Sequence, residues 1–535
     1  MTDAAGDLRF DLLLLGGTVV DGTGDAPPVR ADVGVSGGKI AAIGDLAGAR
    51  AGHVLNIAPG HVVCPGFVDI HTHSDISLLY TPGMDSSLAQ GVTCEIVGNC
   101  GFSLGLARPA PDPLFSEERR RLERGNVTLD WEDMAGFFQR IENDGIAIHV
   151  ASLVGHGTLR KRVLGVTERA PDAAELLAMQ HELARALEAG AVGLSSGLEY
   201  VPGMYAGVDE LAALARVAHE HGTLYATHLR DEGDRLEEAV EEALAVADAS
   251  GVRLQLSHHK AEKPRNWGKI TRTLRMVDDA QARGLDVGLD QYPYTAYQTN
   301  LATIALPPWA NAATPAALAD KLRDPDLRAR ARRAMNDDGI DYQAVEIASY
   351  APEPSFVGRT VAELALDAGR DARDWLIDLF CRGDAFSSAV HHALSEADVE
   401  RVLCDPRVAI GSDAVAAHPF GPTGGDKTHP RSYGTYARVL SRYVRERGLL
   451  SLPEAVRRMT SLPAERIGLL DRGRLAPGLI ADITVFDPAT IAETATFADP
   501  HRLAVGVEYV VVAGTLAWAN GVATGARAGR VLRRT

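Results

Sequence analysis

Cysteine is scarce: five residues in a chain of 535, namely Cys64, Cys94, Cys100, Cys381 and Cys404. So small and odd a number makes no disulfide framework, and reduced thiols in a reducing compartment are expected. Long apolar runs are missing too. The N-terminal segment MTDAAGDLRFDLLLLGG has only a four-leucine run, preceded by acids rather than by a basic stretch. No later segment approaches the roughly 18 to 20 apolar residues that span a bilayer. The expectation is a cytoplasmic protein with no membrane partner. Positive charge is also short, with 54 Lys and Arg against 71 Asp and Glu, a formal net charge of −17. Its one local clump is the tail RAGRVLRRT, too small a footprint for a nucleic-acid backbone, so no nucleic-acid partner is expected. The 53 glycines and 27 prolines are spread along the chain, which excludes a disordered low-complexity tract.

What is present is two alternating grammars. Before Gly66, and again after Gly473, short β-type runs break at glycine turns, as in ADVGVSGGKIAAIG and VEYVVVAGTLAWANG. Neither end has enough strands to bury a face alone, so residues 1–65 and 473–535 are expected to pair into one small β-sandwich domain. Between them, in 66–472, eight apolar β-branched runs alternate with helical patterns, and each ends in a polar cluster: GFVDIHTHSD, VTCEIVGNCG, AIHVASLVGHG, AVGLSSGLEY, TLYATHLRDEG, RLQLSHHKA, DVGLDQYPY and VAIGSDA. Eight such runs with helices between them predict an α/β fold, a (β/α)8 TIM-type barrel whose strand ends share one rim. The helices read from APDAAELLAMQHELARALEAG and DRLEEAVEEALAVADASG, with apolar residues at three and four spacing. The stretch 295–407 between runs seven and eight is too long for a loop, and LRDPDLRARARRAMNDDG and ARDWLIDLF within it look helical. It is expected to be an inserted subdomain over the rim.

The rim collects metal-capable residues. His71 and His73 are two apart on the first run and project from one face, about 6 to 7 Å apart by the strand rise. Alone, that pair reads equally as metal ligands or as ordinary core or surface histidines. His228 ends the fifth run, His258 the sixth, and Asp413 follows the eighth, and together the five predict a metal site at the rim. His259 points to the opposite face and is expected to be structural or to support its neighbour. His156 reads equally as a hydrogen-bonded rim histidine or as a contact of bound substrate. His219 and His221 read as solvated helix residues.

The strings HTH, THLR, SHH and GSD, with the split β-domain carrying VVCPGFVDIHTH and GRLAPGLIADITVFDP, resemble the amidohydrolase superfamily of metal-dependent hydrolases over nearly the whole chain. More narrowly, VGNCGFS, SSGLEYVPG, SHHKA and HPRSYGTYARVL resemble the N-acyl-D-amino-acid deacylases, or D-aminoacylases. Many superfamily members bridge two metals with a carboxylated lysine on the fourth strand, but AVGLSSGLEY holds none. The resemblance instead implies a cysteine ligand from the Asn-Cys-Gly turn, and Cys100 is the matching residue. Cys94 shares its strand face but lies six residues, about 20 Å, away and is expected to be core filler.

The resemblance thus implies a tight zinc site of Cys100, His228 and His258, with His71, His73 and Asp413 completing a possible second, weaker one. Two imidazoles with one thiolate suit zinc. It also implies that Asp413 shuttles the proton and that Lys260, Tyr292 and Arg431 bind the carboxylate of an N-acyl-D-amino-acid substrate, a small molecule. Side-chain preference is left to the inserted segment and the SSGLEYVPG loop, with hydrophobic D-residues expected. The alternatives are a cyclic-amide hydrolase of the hydantoinase or dihydroorotase kind, against which the missing lysine and Cys100 count, and a non-catalytic scaffold of the same fold.

Overall fold

The computed structural model describes residues 9–422 and 424–534. Residues 1–8, which begin both the acidic N-terminal segment and the expected β-domain, lie outside the described residues.

Eight strands match the eight apolar runs: β1 (Phe67–Asp69), β2 (Val92–Val97), β3 (His149–Gly155), β4 (Gly193–Gly197), β5 (Leu224–His228), β6 (Arg253–Leu256), β7 (Val287–Gln291) and β8 (Val408–Ile410). Each pairs in parallel with the next in chain order. The circle closes just beyond β1 and β8, where Asp413 N donates to His71 O at 2.8 Å and His73 N to Ala414 O at 2.7 Å. The buried Asp69 carboxylate ties the same two ends by accepting from His71 N and Ser412 N at 3.2 and 2.9 Å. The strands are shorter than the apolar runs. β1 stops at Asp69 and β8 at Ile410, so His71, His73 and Asp413 stand on rim loops rather than on the strands themselves.

The helices form where the pattern calls for them. The one at Ala173–Glu188 starts from a capping box in which Asp172 and Glu175 satisfy each other's backbone N–H, and the one at Leu236–Ser250 stops at Gly251 in the left-handed conformation. The barrel interior is filled rather than open. Val68, Cys94, Ile96, Ala151 and Leu153 pack with Ala464 and Ile467 below them, and Leu532 of the C-terminal tail joins this floor. Among the described residues no helix is long and apolar enough to cross a membrane.

The two chain ends build a β-sandwich. A four-stranded sheet runs in the order Lys39–Gly44, Asp32–Ser36, Arg9–Leu15, Arg50–Asn56. It faces a seven-stranded sheet in which Ile483–Phe486, from the C-terminal part, pairs antiparallel with Val62–Pro65 from the N-terminal part. Leu12, Leu14, Val33 and Val35 of one sheet pack on Val63, Ile483, Val485 and Val511 of the other.

Between β7 and β8 the inserted segment has its own core, with Leu322, Met335, Leu376 and Ile377 among its buried residues. The helices Pro325–Asp338 and Ala372–Phe380 match the sequence reading. A three-stranded antiparallel sheet, in the order Tyr297–Asn300, Ser388–His391, Val345–Ser349, was not legible. Its strands are four or five residues long and pair across long gaps, so no hairpin turn announces them. The Tyr297–Asn300 strand reaches the rim, with Thr299 Oγ1 3.1 Å from the Tyr200 hydroxyl and Gln298 O accepting from Arg431 Nη2 at 3.3 Å.

Candidate active site

The turn after β2 is built for close approach. Gly98 has φ +79°, and a Cβ there would collide with the Leu153 carbonyl oxygen, while Gly101 has φ +78° with Gly197 N against the position of its missing side chain. Between them Cys100 is left-handed at φ +51°, and so are His258 at +33° and Asp413 at +52°. Only eight described non-glycine residues have positive φ, and three of them are at this rim. Left-handed backbone costs an L-residue energy and persists where surroundings impose it, and here it turns each side chain from its strand end into the bowl.

These side chains converge. Cys100 Sγ lies 3.3 Å from His71 Nε2 and 3.4 Å from His258 Nε2. His258 Nε2 is also 2.9 Å from His228 Nδ1. Asp413 Oδ1 stands 3.0 Å from His73 Nε2 and 3.5 Å from His71 Nε2, and its Oδ2 meets Arg431 Nη1 at 2.6 Å. Three sets of donors each lie within 4.8 Å of one another: His71, Cys100 and His258; His71, His73 and Asp413; and His228, Glu232 and His258. Sulfur and imidazole nitrogens in buried, mutually facing positions fit a borderline-soft ion such as zinc. The sequence reading grouped Cys100 with His228 and His258. In the structure His71 stands within reach of the sulfur in addition to His228 and His258, so the two expected ligand sets meet as one contiguous cluster.

Electrostatics accompany the convergence. Burial by itself would raise the Cys100 thiol, but the His71, His258 and His73 rings outweigh it and hold the group well below the ordinary thiol range. Burial opposes charge on His228 as well, yet Glu232 and Cys100 push it up to about 10. Burial would likewise raise Asp413, and Arg431 with the surrounding histidines holds it well below the usual carboxylate range.

The three residues expected to bind a carboxylate border this cluster. Lys260 Nζ sits 2.9 Å from His258 Nδ1 and is paired with Glu232 at 2.5 Å. Arg431 stacks on the Tyr292 ring at 4.9 Å, with Lys260 Nζ 5.9 Å from the same ring. The Tyr292 hydroxyl is buried without a hydrogen-bond partner among the described residues. A donor kept unsatisfied beside two cations suits an incoming anion.

Three acids here were not singled out from the sequence. Asp290 accepts from His258 N at 2.7 Å and faces His71 Nδ1 at 3.0 Å, which directs His71 Nε2 toward the cluster. Glu232 Oε1 lies 3.1 Å from His258 Nδ1 and competes there with Lys260 for the ring's tautomer. Glu199 Oε2 lies 3.0 Å from His228 Nε2. The signal for Asp290 was an acid inside an apolar strand, one residue pair before Tyr292. Of the side histidines, His156 pairs with Glu210 at 2.8 Å and His259 meets Thr273 Oγ1 at 2.8 Å.

Residues 58–517 match the model of the Amidohydrolase family, and the chain belongs to that family. It is 40% identical to the N-acyl-D-glutamate deacylase of Alcaligenes xylosoxydans xylosoxydans over 98% of this chain and 97% of the relative. It is 38% identical to the D-aminoacylase of the same organism, over 98% of each. Among solved structures, the Bordetella bronchiseptica N-acyl-D-glutamate deacylase, complexed with zinc and a phosphonate that mimics the tetrahedral intermediate, superposes with a TM-score of 0.83 at 37% identity. That match covers 98% of this chain and all of the other.

Proposed function

We propose that the protein hydrolyses the amide bond of N-acyl-D-amino acids, with zinc, to a carboxylate and a free D-amino acid. The observation that carries this reading is the junction at Asp413. One oxygen of that carboxylate stands among His71 and His73, and the other meets Arg431 at 2.6 Å. A proton carrier and a carboxylate-binding cation are thereby held side by side at the edge of the donor cluster. Full-length likeness to deacylases of N-acyl-D-amino acids supports the same reaction class.

Cys100, His228 and His258, with His71 beside the sulfur, would hold a tight zinc, and His71, His73 and Asp413 a second, weaker one. Zinc bound there supplies a polarised scissile carbonyl and a more acidic water. Asp413 takes the proton of the attacking water and returns it to the leaving nitrogen, a double duty that suits a carboxylate facing the cluster. Arg431, Tyr292 and Lys260 hold the substrate's α-carboxylate, which fixes the distance between that anchor and the reacting carbonyl. Two anchors and one side-chain pocket select a hand at Cα; that the hand is D rests on the relatives.

The test is metal analysis of the purified protein together with hydrolysis of N-acetyl-D-leucine, N-acetyl-L-leucine and hydantoin. Zinc bound in the protein and turnover of the D-isomer alone are expected. Ring opening of hydantoin in preference to the linear amide would replace this reading with cyclic-amide hydrolysis, and zinc-free protein inert to all three would point to a scaffold.

A further inference from the structure

The relatives differ in the amino acid they are named for, so the side chain that this site accepts is a separate question. It rests on the deacylase reading. An acidic substrate such as an N-acyl-D-glutamate brings two carboxylates, and each needs a cation or a set of donors once out of water. Arg431 and Lys260, with the Tyr292 hydroxyl, answer the α-carboxylate. A second anchor has to come from the loops that follow the barrel strands.

Those loops are poor in positive charge where they matter. No lysine or arginine occurs in residues 51–107, which carry the loop after β1 and the turn that follows β2, in 186–215 after β4, or in 284–320 after β7 and into the insertion. Other cations that follow strands pair with acids outside the donor cluster. Arg230 pairs with Glu242 at 2.8 Å and also donates to the Met204 and Ala206 carbonyls. Lys263 pairs with Asp338 at 2.8 Å, and Lys427 with Glu346 at 2.7 Å.

The wall beside the cluster has the opposite character. Phe102, two residues beyond Cys100, is 43% exposed, which leaves apolar ring surface free beside the buried site. Its ring lies 5.7 Å from that of Tyr200, which in turn lies 4.8 Å from the His228 ring. Tyr200 is held from the other side by Thr299 of the insertion. The acid that faces the cluster on this wall is Glu199, 3.0 Å from His228 Nε2.

We infer that the side chain of the substrate is uncharged and apolar, that it packs on Phe102 and Tyr200, and that acidic D-amino-acid derivatives are poor substrates. This places the protein apart from its 40% identical N-acyl-D-glutamate deacylase relative in specificity while it shares the reaction. A leucine or phenylalanine side chain covers the exposed ring and removes apolar surface from water. A glutamate side chain would set a carboxylate against Glu199 with no cation to answer it.

The experiment is kcat/KM of the zinc-loaded enzyme for the N-acetyl derivatives of D-leucine, D-phenylalanine, D-alanine, D-glutamate and D-aspartate. Leucine and phenylalanine should exceed both acids by at least about thirtyfold. A smaller ratio overturns the inference and leaves the deacylase reading standing, whereas inertness toward all five removes that reading and the inference with it. In Phe102→Ala the ratio of kcat/KM for phenylalanine over alanine should fall by about tenfold. An unchanged ratio overturns the assignment of this wall to the substrate's side chain.

Discussion

Strand β2 serves both ends of the barrel, and the two ends use the same residue types to opposite purposes. At the floor, Cys94 lies in an apolar cluster, and burial pushes its thiol up. Beside it a buried charge network is complete within the chain. Asp482 meets His149 Nε2 at 3.1 Å and Arg472 Nη1 at 2.5 Å and accepts from Ala513 N at 2.7 Å, while His149 Nδ1 accepts from Arg530 N at 3.2 Å. At the rim, Cys100 faces two ring nitrogens, two histidines face each other at 2.9 Å, and the Tyr292 hydroxyl has no partner. Buried histidine and carboxylate are therefore not in themselves a site. Complementary donors and acceptors close on themselves and hold the fold, whereas lone pairs that converge on one another await a cation.

The sharpest way to break this comparison is to remove the rim sulfur. Cys100→Ala should lose tight zinc and with it essentially all turnover, read by metal analysis and a deacylase assay; retention of zinc equal to wild type would dissolve the contrast between the two cysteines. Next in size, Asp413→Asn should keep the tightly bound zinc and lose on the order of 10² to 10⁴ in kcat, the usual contribution of a general acid–base group. Activity within tenfold of wild type would assign the proton to another residue.

On the floor the expected loss is stability rather than activity. Asp482→Asn should cost about 3 kcal/mol, because it leaves His149 and Arg472 without their anion, and zinc content should be unchanged. Burial would raise the Asp482 carboxyl, but His149 and Arg472 outweigh it and lower it from 3.8 to about 2. A depressed folded pKa stabilises above the unfolded value, so this contribution is present above about pH 4 and lost as the pH falls toward 2. Thermal melts at pH 7 and pH 3 should bring wild type and variant closer together at the lower pH. A gap that widens instead would show that Asp482 is not the charged partner.

A smaller effect is expected for Arg431→Ala, a loss of about 2 kcal/mol in kcat/KM for N-acetyl-D-leucine with zinc retained. The control is the substrate's carboxamide, which lacks the charge; an equal loss on both would make Arg431 structural. Smallest of all, Cys94→Ala should cost about 1 kcal/mol of stability and nothing in zinc or turnover.

The convergence of the site residues was legible because a barrel brings strand ends together by rule. Nine chosen residues, from His71 to Arg431, do meet on one rim. The supporting acids were not legible, since Asp290 is separated by 219 positions from the His71 ring that it faces. Nor was the additional place of His71 beside Cys100, which the rim loops, not strand parity, set.

The sequence by itself determined the architecture: eight apolar runs between amphipathic helices call for a parallel sheet buried on both faces, the strand number matches a closed barrel, and two strand-poor ends bury their faces by pairing. It also determined that residues 51–107, 186–215 and 284–320, which begin the segments after β1, β2, β4 and β7, carry no lysine or arginine. Only the tertiary structure decided how the rim is wired, because the left-handed backbone at Cys100, His258 and Asp413, the Glu232 bridge from Lys260 to His258 and the Phe102–Tyr200 wall arise where segments distant in the chain press against one another. Local propensity fixes elements, but the direction of a side chain at a strand end is set by what packs on it, and that neighbour is not written in the adjacent sequence.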